Sequence, residues 1–268
     1  MRIRLVFVCF GLFLLCAESP ARGDSQGSIV RDSSLPGGAG WGEAVASGVD
    51  PSVGPGGGIP DYLITPELGE QHGDHLFHSF SHFGVGEGEI AQFTDNGIEL
   101  GIERIVVRVT GGETSNVAGL IRSSIEGADF YLLNPDGIVF METGGIDGHT
   151  TAWPEGDISQ SFKGASFYLS TADQLKLGAA GDPDAGVFGV SNLEVPWSTG
   201  NCCTAGPTSF VFVGAAPAMI DVGSGYISRG GPIRNYAAMT VEAGQTFYAV
   251  AGEVSVTANL SNQQGSIV

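Results

Sequence analysis

Four histidines, His72, His75, His78 and His82, fall within eleven residues, and imidazoles so close together are the first place to look for a metal centre. On an extended segment, however, successive side chains alternate faces. His78 and His82 then share a face with Phe80 between them, and His75 points the other way. The spacing therefore predicts strand and turn histidines, and no metal is expected. Glu87 with Glu89, and Asp182 with Asp184 across Pro183, are carboxylate pairs of the kind that acid–base cleavage of sugars requires. With 29 acidic residues such neighbours arise by chance, and 11 Lys and Arg leave few cations to stand beside them. Calcium could be held by loop carboxylates, but no ligand spacing specifies it. Gly84-Val85-Gly86-Glu87-Gly88 lacks the last glycine and the following helix of a dinucleotide loop, and no Gly-x-Ser-x-Gly elbow or Walker lysine occurs. No cofactor and no enzymatic activity are expected.

The cysteines add little chemistry. Cys9 and Cys16 lie in the first segment, leaving the neighbours Cys202 and Cys203 in a Gly/Pro turn. Adjacent Cα atoms are about 3.8 Å apart, closer than the roughly 4.4–6.8 Å a disulfide prefers.

The elements that must carry these residues are short strands. Glycine is 43 of 268 residues and Phe 15, with hydrophobic residues at 42%, so the chain can bury a core while turning often. Apolar or β-branched runs recur between turn signals at Leu76–Val85, Ile90–Thr94, Arg104–Thr110, Phe130–Leu133, Gly137–Met141, Ser166–Ser170, Ser209–Val213, Met239–Glu242, Thr246–Val250 and Glu253–Thr257. Several alternate with period two: Ile105, Val107 and Val109 share one face, Arg108 and Thr110 the other. No stretch carries a capped 3.6-residue stripe, so the class is all-β. Sandwich, barrel and solenoid all use such strands. Irregular Gly/Asn/Asp turns, and a loose recurrence through Ile220–Ile227, Thr240–Val250 and Val254–Asn259, favour a parallel β-helix without excluding the others.

Domain organisation follows from composition. Arg2 and Arg4 precede the apolar run Leu5–Leu15, and small residues follow, which predicts a signal peptide over 1–23. Its removal leaves eight basic against 28 acidic residues, a surface that repels nucleic acid and anionic lipid, so neither partner nor stable membrane insertion is expected. Residues 24–58, rich in Gly, Ser and Pro, read as a flexible leader. Residues 59–268 form the folded domain. It stops at Gly265-Ser266-Ile267-Val268 without the polar cap a solenoid end needs, and so is expected to be truncated at its C-terminus.

Five ordered segments carry a family resemblance: Ile64–Gly69; Leu76-Phe77-His78-Ser79-Phe80-Ser81-His82-Phe83; Arg108-Val109-Thr110-Gly111-Gly112 with Ser115, Gly119 and Ile121; Leu132-Leu133-Asn134-Pro135-Asp136-Gly137-Ile138-Val139-Phe140; and Ser170-Thr171-Ala172-Asp173 with Leu175 and Leu177. Phe210–Gly214 and Val241–Gly252 look like the coils that follow. Together, residues 59–177 resemble the N-terminal secretion domain of two-partner secretion exoproteins, the filamentous haemagglutinin or haemagglutination-activity domain. The resemblance implies a right-handed parallel β-helix, a single-stranded solenoid with N-terminal capping strands and extruded loops. It also implies a secretion-targeting and fold-nucleating role, in which periplasmic domains of an outer-membrane β-barrel transporter recognise the chain. The product would be a monomer that reaches the cell surface or the medium by way of the periplasm. The pattern marks His78, Phe80, Arg108, Gly111, Gly112, Ser170, Thr171 and Asp173 as structural, and Asn134-Pro135-Asp136-Gly137 as the motif tied to secretion. That motif also has its own physical reading: Asn, Pro, Asp and Gly at i to i+3 satisfy a type I turn, expected to reverse the chain between two buried strands. Asp136 stands where the family has a second Asn. Met141–Gln160 departs further and reads as an extruded loop around Trp153-Pro154-Glu155-Gly156. The alternatives are an adhesin that binds carbohydrate or host protein through exposed coils and, behind it, a polysaccharide-active enzyme.

Overall fold

The computed structural model of the chain describes residues 27–35, 61–86, 89–141, 145–146, 165–183, 185–190, 205–213, 218–222, 238–241, 246–256, 259–262 and 266–267. The signal segment 1–23, most of the leader, Cys202 and Cys203, and nearly all of the 141–160 insertion lie outside these residues.

In chain order the strands are β1 (Ser28–Arg31), β2 (Tyr62–Ile64), β3 (Glu70–His72), β4 (His75–Gly84), β5 (Ile90–Phe93), β6 (Arg104–Val109), β7 (Ser115–Val117), β8 (Leu120–Ser123), β9 (Asp129–Leu133), β10 (Ile138–Phe140), β11 (Gly145–Ile146), β12 (Phe167–Ser170), β13 (Gln174–Leu177), β14 (Gly186–Gly189), β15 (Pro207–Val211), β16 (Met219–Val222), β17 (Ala238–Val241), β18 (Thr246–Val250), β19 (Glu253–Val256), β20 (Asn259–Asn262) and β21 (Ser266–Ile267). Among the described residues the only helical piece is a 3₁₀ turn at Pro66–Leu68. The molecule is all-β. Each of the ten apolar runs named above contains or overlaps one of these strands, because short runs of β-branched and aromatic residues fit a pleated, buried surface.

Among the described residues three larger sheets are built on parallel pairs, the largest with β1 and β3 added antiparallel to β4, and β17 pairs with β20 in a small parallel sheet of its own. The largest is ordered β1-β4-β6-β9-β12-β18-β21, the second β19-β16-β10-β7 and the third β11-β8-β5-β2. The chain visits them in rotation, so β5, β6 and β7 occupy three different sheets and β8, β9 and β10 repeat the round. In-register pairing stacks like on like. On one face of the large sheet Leu76 pairs with Ile105, Ile105 with Phe130, Phe130 with Phe167 and Phe167 with Phe247. All five are buried in one cluster with Phe80, Phe93 and Phe140. Stacked identical faces bury apolar surface continuously, at roughly 25 cal/mol per Å².

The large sheet is covered on its second face as well, which explains why β4 is buried on both sides. Phe77, Val106, Tyr131 and Leu133 form a separate cluster with Leu35, Leu175, Leu177 and Phe188. The cover is an antiparallel sheet ordered β14-β13-β15. Here the structure corrects the expected continuation. Phe210 lies in β15, paired antiparallel with β13 rather than stacked as the next coil, and Leu175 and Leu177 belong to the same side sheet.

A second difference concerns the leader. Ser28–Arg31 pairs antiparallel with β4, Ser28 opposite Gly84 and Ile29 opposite Phe83. Ile29 is wholly buried and Leu35 nearly so. Residues 27–35 are thus built into the fold, because Ile29 and Leu35 take core sites on opposite faces of the sheet. The hairpin β3–β4 occupies the other half of the same β4 edge.

Candidate functional site

Most of the residues singled out by motif lie towards one end of the large sheet, where β6, β9 and β12 run out beside Phe80 of β4 and the chain turns towards the next sheet. Asn134, Pro135, Asp136 and Gly137 form the corner between β9 and β10. The Gly137 N–H donates to the Asn134 carbonyl at 3.1 Å, closing the four-residue turn. The Asp136 N–H donates to Asn134 Oδ1 at 3.0 Å, an Asx turn of the kind asparagine favours. The turn does not fold the chain back on itself, as the spacing had suggested: β9 and β10 lie in different sheets. It is a corner and not a hairpin.

Asn134 is fully buried and its side chain joins two corners. Its Nδ2 donates to the Glu113 carbonyl at 2.9 Å and to Ser115 Oγ at 2.9 Å, both in the preceding corner. Thr114 Oγ1 donates to the Asp136 carbonyl at 2.8 Å. On the other side the Asn134 N–H donates to the Ser170 carbonyl at 2.9 Å. Every donor and acceptor of the amide is used, which is what keeps a buried Asn affordable. The Asp136 side chain is exposed, and its part in the corner is played by its backbone. That is why Asp can stand where the family carries Asn.

Gly111 and Gly112 shape the corner before it, each for a different reason. A Cβ on Gly111 would collide with the Ser81 carbonyl, whereas Gly112 has open space but a φ of +78°, a region that side chains other than Gly enter at a cost. Ser170 and Thr171, both buried, form the corner after β12. The Ala172 N–H donates to Ser170 Oγ at 3.0 Å and Thr171 Oγ1 to the Ala218 carbonyl at 3.1 Å. Asp173 Oδ2 accepts from the Val213 N–H at 2.7 Å, tying the side sheet to this corner.

His78 and Phe80 point inwards. The two rings stack at 5.9 Å, and Phe93 meets His78 edge-on at 5.4 Å. Burial pulls the His78 imidazole down to about 3, so it is neutral in this site, and the nearby Arg31 charge acts in the same direction while the Leu68 backbone opposes both. His82, by contrast, is partly exposed and lies 2.6 Å from Glu113. Among the described residues no group of three or more His, Cys, Asp and Glu is arranged to hold a metal ion.

Arg108 organises what the sequence did not foresee. Its side chain is wholly buried on the face of the large sheet opposite the main core. Nε donates to Ser79 Oγ at 2.8 Å and an Nη to Ser34 Oγ at 2.7 Å. The other Nη donates to the Gly189 carbonyl, and the guanidinium lies 4.4 Å from the Phe188 ring centroid. Asp32 completes the cluster, accepting from Ser79 Oγ and Thr110 Oγ1, each at 2.6 Å. Burial alone would raise the Asp32 carboxyl, but hydroxyls of Ser34, Ser79 and Thr110 with the Ser34 amide hold it below the ordinary range. Burial lowers Arg108 to about 10, with the Asp32 charge opposing. Gly27 is pinned as well: its N–H donates to Glu89 Oε2 at 3.0 Å and its carbonyl accepts from Tyr62 Oη at 2.8 Å. The cue for this cluster was Asp32-Ser33-Ser34 between Ile29 and Leu35, hidden by the Gly/Ser content around it.

With this geometry in view, comparison with known families is decisive. The model of the TPS secretion domain family matches residues 64–268, and the chain belongs to that family. No curated protein and no solved structure matched the chain. Membership makes it a secretion-related domain of an exported two-partner secretion exoprotein, in a family that works with a transporter partner and is not a family of enzymes. No helix among the described residues is long and apolar enough to cross a membrane.

Proposed function

We propose that this domain is the export tag of its protein: the periplasmic domains of an outer-membrane β-barrel transporter recognise it, and it then winds into a right-handed parallel β-helix that nucleates folding at the cell surface. A signal peptide over 1–23 delivers the chain to the periplasm, and the product is a monomer at the surface or in the medium. The observation that carries this reading is the family match over 64–268 joined to three sheets, built mainly of parallel pairs, that the chain visits in rotation. A β-helix would add one coil at a time, each burying its rung on the last. Coil-by-coil burial favours outward movement without a nucleotide.

The corner at Asn134–Gly137 is the proposed recognition motif. Asn134 holds the corner from inside, and Asp136 presents an exposed carboxylate at its tip. The two roles are separable. Co-expression with the cognate barrel, reading surface appearance, tests the whole: deleting residues 59–140 should abolish export, and unchanged export would sink the reading. Within it, Asp136→Ala should leave thermal stability unchanged and lower export several-fold. Full export by that variant would limit the corner to a structural part.

A further inference from the structure

The second face of the large sheet is closed by two segments remote from each other in sequence, and both close on Arg108. Residues 27–35 bring Ser34, 74 positions away, to one Nη. The side sheet brings the Gly189 carbonyl, 81 positions away, to the other Nη, with the Phe188 ring over the guanidinium. The same two segments share the apolar cluster, where Leu35 is buried with Phe188, Val190, Leu175 and Leu177. Phe188 also reaches Phe77 of β4, ring centroids 4.9 Å apart. The carboxylate whose charge acts on Arg108 is Asp32, and it belongs to the first segment alone.

Neither cover is complete without the other. The side sheet alone would take the guanidinium out of water with only the Gly189 carbonyl and the Ser79 hydroxyl as partners, and a cation buried without a counter-charge is costly. Residues 27–35 alone would supply that counter-charge, but would leave Leu35 without Phe188 and Val190 and the guanidinium open to water. We infer that residues 27–35 and the side sheet dock as one cooperative unit, joined through Arg108 and distinct from the rung-on-rung stacking of β4, β6, β9 and β12. Each docking strengthens the other, and such coupling is reciprocal. The rungs need only the coil before them, so they can stack as the chain is delivered. The second face closes only once β15 has been delivered, which places closure after recognition of the unfolded chain. That use of the coupling in export rests on the secretion reading; the coupling itself does not.

Native-state hydrogen exchange on the purified full-length mature chain tests this with two variants. Asp32→Asn keeps the shape and removes the charge. Asp32 bonds to Ser34, Ser79 and Thr110, none of them in the side sheet, so a response there has to pass through the cluster. Amide exchange at residues 174–177 of β13 should accelerate about tenfold, in step with residues 28–31, while residues 129–133 of β9 change by less than about threefold. The reciprocal variant, Phe188→Leu in the side sheet, should accelerate residues 28–31 as much as 174–177. If Phe188→Leu does not fold, Asp32→Asn decides alone. Acceleration confined to the segment that carries the substitution would overturn the inference, since the two covers would then dock independently. Equal acceleration of β9 would overturn it as well, because the covers would form no unit apart from the rungs. Either result leaves the secretion reading standing, because no transporter takes part; that reading falls on the export assay of the 59–140 deletion.

Discussion

Single residues divide into those that shape backbone and those that settle charge. Gly111 and Gly112 are adjacent yet differ in what they exclude. Gly111→Ala should cost about 1–3 kcal/mol, because a methyl group would have to push the Ser81 carbonyl out of a packed corner. Gly112→Ala should cost about 1 kcal/mol, from its positive φ alone. Denaturant midpoints of the two variants measure the difference, and equal losses would refute the assignment. Arg108→Met should be more damaging, by roughly 3–5 kcal/mol. It removes a buried cation that satisfies Ser79, Ser34 and the Gly189 carbonyl, leaving Asp32 without its compensating charge. The alternation of β6 placed Arg108 on the correct face. It did not reveal that this face is buried, because its cover comes from residues 27–35 and from β13–β15, both remote in sequence.

Elements here are fixed more by what stacks above and below than by their own propensity. β10 and β7 are three residues each, too short to persist alone, and they hold because Ile138 sits on Ser115 and Phe140 on Val117 in register. The corners set that register. Asn134→Ala deletes the amide linking the β9–β10 corner to Glu113 and Ser115. The expected loss is about 1–3 kcal/mol, with buried groups left unsatisfied, together with faster amide exchange in β7 and β10 and little change in β1. Uniform acceleration would show that the corner acts only through global stability. The Asn-Pro-Asp-Gly turn was legible from residue preferences alone, but its geometry as a corner between sheets was not. Turn chemistry fixes φ and ψ locally and says nothing about which strand lies alongside.

At the scale of the molecule, charge and burial make the fold sensitive to acid. His78 has a folded pKa of about 3 against about 6.5 when unfolded. The unfolded chain therefore takes up its proton first, and stability falls as pH drops through that window, by about 1.4 kcal/mol per pH unit for one such group. His75 is lowered by burial too, against the pull of Asp74, and acts in the same direction. Asp32, also lowered on folding, adds its loss only further down, as pH falls through its folded pKa. Thermal melts from pH 7 to 4 should show a falling midpoint, and His78→Phe should flatten that slope while keeping the contacts with Phe80 and Phe93. An unchanged slope would mean that other groups carry the acid response.

The order of strand-forming runs, the turn residues and the acidic surface were determined by the sequence itself, because each depends on neighbours a few positions away. So were the five segments that resemble the secretion-domain family. The tertiary structure alone decided three further things. It turned an apparent leader into the strand that closes the sheet, placed Phe210 in an antiparallel cover instead of a further coil, and buried Arg108 with Asp32. The physical reason is common to all three: each is a contact between segments distant along the chain, so its free energy comes from surface that neither segment can bury by itself.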